Sequence, residues 1–236
     1  LKDIGSKASI REWAQKQGAE VHEMALESQF RCGGSDGYLA WLDHVLDIRT
    51  TANTDLNDVG YDFGVCDTAT SLRAMIESKN GEPNTKARLV AGYCWKWNSK
   101  TDASAYDIEF PAEGFQMQWN LASDSSLWIM KEESINQIGC IHTCQGLEID
   151  YVGVIIGPDL LIRDGKVVTD PSKRASSDKS VFGWKKRMKE SPEQATAELD
   201  LIIKNTYRTL MTRGMKGCYI FSDDEETRDW FRGITQ

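Results

Sequence analysis

Residues 138–157 constrain the fold more than any other stretch of this chain. They join a polar turn, 142–148, to an unbroken apolar run, 151–156. A short apolar run without polar alternation suits a strand buried on both faces, as in a parallel sheet. Polar residues at the mouth of such a strand sit at a sheet edge, where open α/β folds bind ligands.

The flanking sequence fits that frame. Residues 9–17 read as a short helix opened by a capping box, with Ser9 as N-cap, Glu12 reaching back, and Gly18 as the stop. Residues 19–26 read as a strand, and 36–48 as a helix with a broad apolar face. A strand at 61–66, a helix at 68–80 with Leu72, Met75 and Ile76 inward, and a strand at 88–97 follow. The resulting β-α-β-α-β order predicts a parallel sheet with right-handed crossovers. Residues 98–133 break the rhythm and read as an inserted β-rich arm, and 132–138 as a short helix. Asp164 and Gly165 between apolar pairs signal a hairpin, so 161–190 reads as a hairpin followed by a basic loop. Ser191, Pro192 and Gln194 begin a long helix with a second capping box. A buried strand at 218–221 and a closing helix with Trp230 and Phe231 complete the chain. The expected fold is one α/β domain over 1–236, with a parallel sheet of about five strands flanked by helices.

Composition narrows the function. The 236 residues are 40% hydrophobic, enough for a sizeable core, and carry a net charge of -8. That balance argues against coating nucleic acid through global charge but permits a local basic groove. No apolar run approaches the ~18 residues of a membrane span, and no signal-peptide pattern is present. The six cysteines are scattered, several of them in apolar runs, and read as reduced core thiols of a cytoplasmic protein. Cys140 and Cys144 with His142 between them have the wrong spacing for a zinc knuckle. The chain opens on Leu1 and reads as a piece of a longer protein. It contains no phosphate loop, since 33–37 has neither the lysine nor the spacing.

Three stretches carry chemistry together. They are Gln29-Phe30-Arg31, the turn from His142 to Glu148, and the helix end around Arg208, Thr212, Arg213 and Gly214. In this order they resemble motifs IV, V and VI of superfamily 1 helicases. With residues 29–37, 92–97, 142–150 and 209–214, the chain most resembles the bacterial Schlafen-type, group 3 helicase-like ATPases. The likeness runs from residue 26 to about 222 and is specific at the motifs.

The resemblance implies a RecA-like second motor domain. An absent N-terminal domain of the same polypeptide would hold ATP and Mg2+ on its phosphate loop, and this domain would close the cleft with arginines. Arg213 matches the finger and Arg31 the motif IV arginine, which makes them the catalytic candidates. Gln29, Gly146, Glu148 and Arg208 are the nucleotide-binding candidates, although a structural salt bridge serves equally for Arg208. Gln145 stands where many relatives carry lysine. His142 and Thr143 match positions that face single-stranded DNA or RNA. Charge delivered to the γ-phosphate is what phosphoryl transfer needs most.

Two features bear on nucleic acid without the resemblance. Tyr93, Trp95 and Trp97 alternate with Lys96 between them, a stacking platform or a piece of core. Residues 173–189 concentrate cations, among them Lys185, Lys186 and Arg187, which suit a phosphate backbone or a solvated loop. Besides the motor, a nucleic-acid-binding or scaffold module of the same ancestry is the second reading. An unrelated α/β enzyme is the third, and the sequence offers it neither a nucleophile elbow nor a metal cluster.

Overall fold

The computed structural model describes residues 7–22, 31–57, 59–120, 125–144 and 149–235, with the side chains of 7–9, 31 and 125–127 outside the description. Along the chain run α1 (Lys7–Lys16), α2 (Asp36–Val45), β1 (Asp62–Val65), α3 (Ala69–Gly81), β2 (Ala87–Ala91), β3 (Ile108–Phe110), β4 (Phe115–Trp119), β5 (Gln137–Gly139), β6 (Ile149–Ile156), β7 (Leu160–Arg163), β8 (Lys166–Thr169), α4 (Trp184–Glu190), α5 (Pro192–Met211), β9 (Gly214–Ser222) and α6 (Glu225–Gly233). A seven-stranded sheet has the order β1-β9-β6-β2-β5-β4-β3. Every pairing is parallel except that of β3 with β4.

β6 does what its composition demands. Val152, Val154 and Ile156 face one apolar cluster, with Tyr38, Trp41, Leu42, Tyr207 and Leu210 from α2 and α5. Ile155 faces the other, with Leu72 and Ile76 from α3. Successive residues of a strand point to opposite faces, so a run buried on both must be apolar throughout. β9 repeats the pattern, with Cys218 and Ile220 on the first face and Tyr219 and Phe221 on the second. The mixed α/β architecture, a mostly parallel sheet flanked by helices, is consistent with a RecA-like fold.

Several local expectations are corrected. The sheet has seven strands rather than about five, because 98–133 supplies β3 and β4 to its edge. That hairpin is tied to the rest: Glu113 accepts the Ala69 amide at the start of α3 at 2.7 Å. α1 already begins by Lys7, so Ser9 lies inside it and is not its N-cap; Glu12 instead pairs with Lys16 at 2.7 Å. Residues 19–22 form no strand, and the rest of the segment expected as a strand lies outside the described residues. Met75 is exposed rather than inward. The strand expected over 88–97 stops at Ala91, and Tyr93, Trp95 and Trp97 continue as turn and loop. The 170–190 segment is not a loop throughout, since it contains short 3-10 turns and then α4. Ser191 caps α5 without a side-chain hydrogen bond, so no capping box forms there. The Asp164–Gly165 turn does join β7 to β8, with φ of +50° and +70° at its two residues, the conformation of a type I′ hairpin.

Candidate functional site

The parallel register separates the two ends of the sheet. Asp62, Ala87, Ile149 and Gly214 start their strands at the amino edge. Cys66, Gly92, Asn120, Cys140 and Gly157 follow their strands at the carboxyl edge. β5 and β6 flank β2 and run parallel to it. Between Gly139 and Ile149 the chain therefore returns from the carboxyl edge to the amino edge. Residues 141–144 form a turn at the start of this return.

At the amino edge, the turn Arg31–Gly34 packs against the turn between α5 and β9. Cys32 Sγ lies 3.8 Å from the Thr212 carbonyl oxygen. Cys32, Gly33 and Gly34 all have positive φ, at 53°, 63° and 82°. A Cβ on Gly33 would meet the Met215 carbonyl oxygen at 3.0 Å, so both backbone conformation and contact require glycine there. Tyr61 donates to the Gly214 carbonyl at 2.8 Å, and Tyr38 donates to the Met211 carbonyl at 3.1 Å. A cleft of about 620 Å³ opens beside this junction, lined by Gly33, Gly34, Ser35, Tyr61, Tyr151 and Lys216, among others. Lys216 pairs with Asp150 at 2.8 Å, and its ammonium is held charged above its usual range by that carboxylate.

Arg213 is at the same junction, and it is only 4% exposed. Its Nε donates to the Thr209 carbonyl at 2.9 Å and its Nη1 to the Cys144 carbonyl at 3.1 Å. One guanidinium thus fastens the last turn of α5 to the 141–144 turn. Burial pushes the Cys144 thiol well up, which suits packing rather than nucleophilic chemistry. Arg208 donates to the buried carboxylate of Asp43 on α2, which also accepts from Arg49 Nε at 2.7 Å. Its placement is that of a structural ion pair. Gln29, Gly146 and Glu148 lie outside the described residues, as do Gln145 and the Arg31 side chain.

At the carboxyl edge, Thr143 Oγ1 donates to Asn120 Oδ1 at 2.8 Å. The exposed His142 ring stands edge-on to Tyr93, with centroids 6.2 Å apart. Trp95 and Trp97 are partly buried and pack against the core cluster with Trp119 and Phe110. The 170–181 segment covers part of this edge. The Ala175 amide donates to the Tyr93 carbonyl at 2.9 Å, and Ser177 donates to Tyr93 Oη at 3.1 Å. Beneath it, Arg174 is fully enclosed with Asp159 at 3.0 Å and Asp178 at 2.5 Å. Burial opposes its charge, but the two carboxylates outweigh burial and hold it above the usual range. Tyr207 donates to Asp159 and accepts the Gly157 amide at 2.8 Å. Of the predicted basic residues, Lys185 and Lys186 are exposed on α4, and Arg187 turns toward Glu198 on α5 at 2.7 Å.

The structure thus brings the 31–34, 141–144 and 212–216 turns together, and leaves Trp95, Trp97 and the α4 cations outside that junction. Sequence reasoning missed Asn120, Tyr61 and Lys216. Asn120 follows an alternating strand and carries no local signal. Tyr61 and Lys216 sit beside motifs but outside their patterns.

The fold defines a mixed α/β domain, a mostly parallel sheet flanked by helices. Residues 1–224 match the family described as Schlafen group 3, DNA/RNA helicase domain, and the chain belongs to that family. Among curated proteins it is similar to one from Saccharomyces cerevisiae (strain ATCC 204508 / S288c), named "Uncharacterized protein YPL245W". The two are 23% identical over 218 residues, covering 86% of this chain and 46% of the yeast protein. The chain therefore spans less than half the length of that relative. No solved structure matches it significantly.

Proposed function

We propose that this chain is the second motor domain of an ATP-dependent DNA or RNA helicase or translocase. In this reading an N-terminal phosphate-loop domain of the same polypeptide holds ATP and Mg2+, and the amino edge described above closes over them. The observation that carries it is the junction of the 31–34 and 212–216 turns beside an open cleft. A resemblance in linear order does not require the turn that follows the Gln29–Arg31 stretch to meet the end of α5, and Cys32 lies against the Thr212 carbonyl. The cleft is within the ~300–1,000 Å³ range of small-ligand sites. Gly33 and Gly34 offer it backbone without side chains, and Lys216, paired with Asp150, lines it together with Asp62.

ATP would supply the phosphoryl group, and the chain's own residues would supply charge and position. Arg31 and Arg213 are the candidates for the charge. Arg213 takes up the finger role by exchanging the Cys144 carbonyl for phosphate oxygens as the cleft closes. That exchange frees the 141–144 turn, whose His142 and Thr143 stand at the carboxyl edge. The same guanidinium would then couple nucleotide at one edge to nucleic acid at the other.

One observation favours the second reading, a nucleic-acid-binding or scaffold module without motor activity. Arg213 is buried in contacts of its own domain, and Arg208 is engaged by Asp43. Single-strand-stimulated ATP turnover by the whole polypeptide decides between them. The motor reading expects Arg213→Ala to abolish turnover with nucleic-acid affinity retained, and the scaffold reading expects no stimulated turnover to begin with.

A further inference from the structure

Phe182 is 77% exposed, more than any other large apolar side chain among those described. It ends the 3-10 turn Lys179–Val181, and Gly183, at φ +73°, then turns the chain into α4. Its neighbours face inward. Val181 is buried, Asp178 is enclosed with Arg174, and Trp184 is half-buried. On α4, Arg187 and Met188 turn toward α5, through Glu198 at 2.7 Å and Thr196 at 3.6 Å. That leaves Lys185, Lys186 and Lys189 exposed, with Lys179 exposed on the other side of Phe182. Of the acids in 178–190, Asp178 is consumed inside, and Glu190 stands 3.7 Å from Lys186. The outward face is therefore a bare aromatic ring amid lysines, on a chain whose net charge is -8.

The location is informative as well. The segment that leads to Phe182 is pinned to Tyr93 through Ala175 and Ser177, and Tyr93 in turn meets His142. The segment that leads to the patch thus crosses the carboxyl edge. Exposed aromatics interleaved with cations suit a ligand that has flat rings and a polyanionic backbone. An anionic bilayer would also take a ring amid lysines, but the family's description as a DNA/RNA helicase domain favours a nucleic-acid strand.

We propose that Phe182, with Lys179, Lys185 and Lys186, is a stacking and phosphate-binding station for single-stranded nucleic acid. It rests on the nucleic-acid part of the function proposed above and not on the ATP part. The test is fluorescence anisotropy of labelled oligo-dT and oligo-U with the full chain, without ATP, over a salt series. Phe182→Ala should weaken binding about 5- to 150-fold, the range for loss of one stacked base, with an unchanged salt slope. Phe182→Trp should restore it and Phe182→Leu should not. Lys185→Ala with Lys186→Ala should flatten the log–log salt slope by about 1.4, at about 0.7 per lost phosphate contact.

Binding by Phe182→Ala within twofold of wild type overturns the proposal. So does full rescue by Phe182→Leu, which marks a simple apolar contact rather than stacking on a base. Retention on phosphatidylserine vesicles with no oligonucleotide binding overturns it too. Strand binding through Phe182 in a polypeptide that never turns over ATP leaves this station standing and removes the motor. Stimulated ATP turnover with normal strand binding by Phe182→Ala does the reverse.

Discussion

Arg213 holds two backbone carbonyls that belong to different parts of the chain, and Tyr207, on the same helix, does a comparable job at the other edge. Its hydroxyl accepts the Gly157 amide and donates to Asp159. Burial first, and the Asp159 carboxylate second, push this phenol well above its ordinary range, so it remains a donor at any working pH. Tyr207→Phe leaves the buried amide and carboxylate each one partner short. It should destabilise the domain by about 1–3 kcal/mol, the cost of an unsatisfied buried polar group. Urea unfolding would show this as a lower midpoint at constant slope, and an unchanged midpoint would mean that water replaces the hydroxyl. The motif turns that hold Arg208 and Arg213 were readable in the sequence, but their partners were not. Asp43 lies 165 residues from Arg208, and Asn120 lies 23 from Thr143. No periodicity links positions that only the folded sheet brings together.

Asp224 shows how much one cap does for an element. Its carboxylate accepts the Thr227 amide at 2.9 Å at the start of α6. It also receives a forked contact from Arg163 on β7, at 2.8 and 2.7 Å. Arg163 foremost, and then Thr227, hold this carboxyl well below the usual range, with burial opposing. A depressed acid contributes stability above its unfolded value and loses it as pH falls through and below roughly 4. Asp224→Asn should keep the cap and flatten that acid limb in thermal melts. Asp224→Ala should lose both, costing about 1 kcal/mol for the cap, and an unaltered acid limb in either variant would contradict the assignment. Elements whose periodicity is strong, such as β6, α3 and α5, were legible because the sheet buries them as their pattern demands. β2 was read too long. A Cβ on Gly92 would come within 1.9 Å of Tyr207 Oη, and the chain turns at Tyr93 to meet the 170–181 segment. Both constraints are tertiary, and neither leaves a mark in the local sequence. The 98–133 segment was legible as β-rich, but its short strands gave no sign that they would extend the main sheet.

As a whole, the described residues form a mostly parallel sheet with a cleft at its amino edge. The family is described as a DNA/RNA helicase domain, and the function proposed above has a second domain close over the amino edge. Without that domain the chain should show no ATP turnover, with or without oligonucleotide, in a coupled phosphate-release assay. Turnover by the chain alone would mean that it carries a complete site. The central claim is that Arg213 delivers charge to a triphosphate held elsewhere, and the direct measurement is single-strand-stimulated ATPase in the full polypeptide. Arg213→Ala should lower turnover by about 10³-fold or more, as expected for an arginine finger, and Arg213→Lys should rescue little because one ammonium lacks the forked geometry. Equal melting temperatures for the variants and wild type would exclude unfolding as the cause. Turnover by a folded Arg213→Ala within a few-fold of wild type would contradict the account.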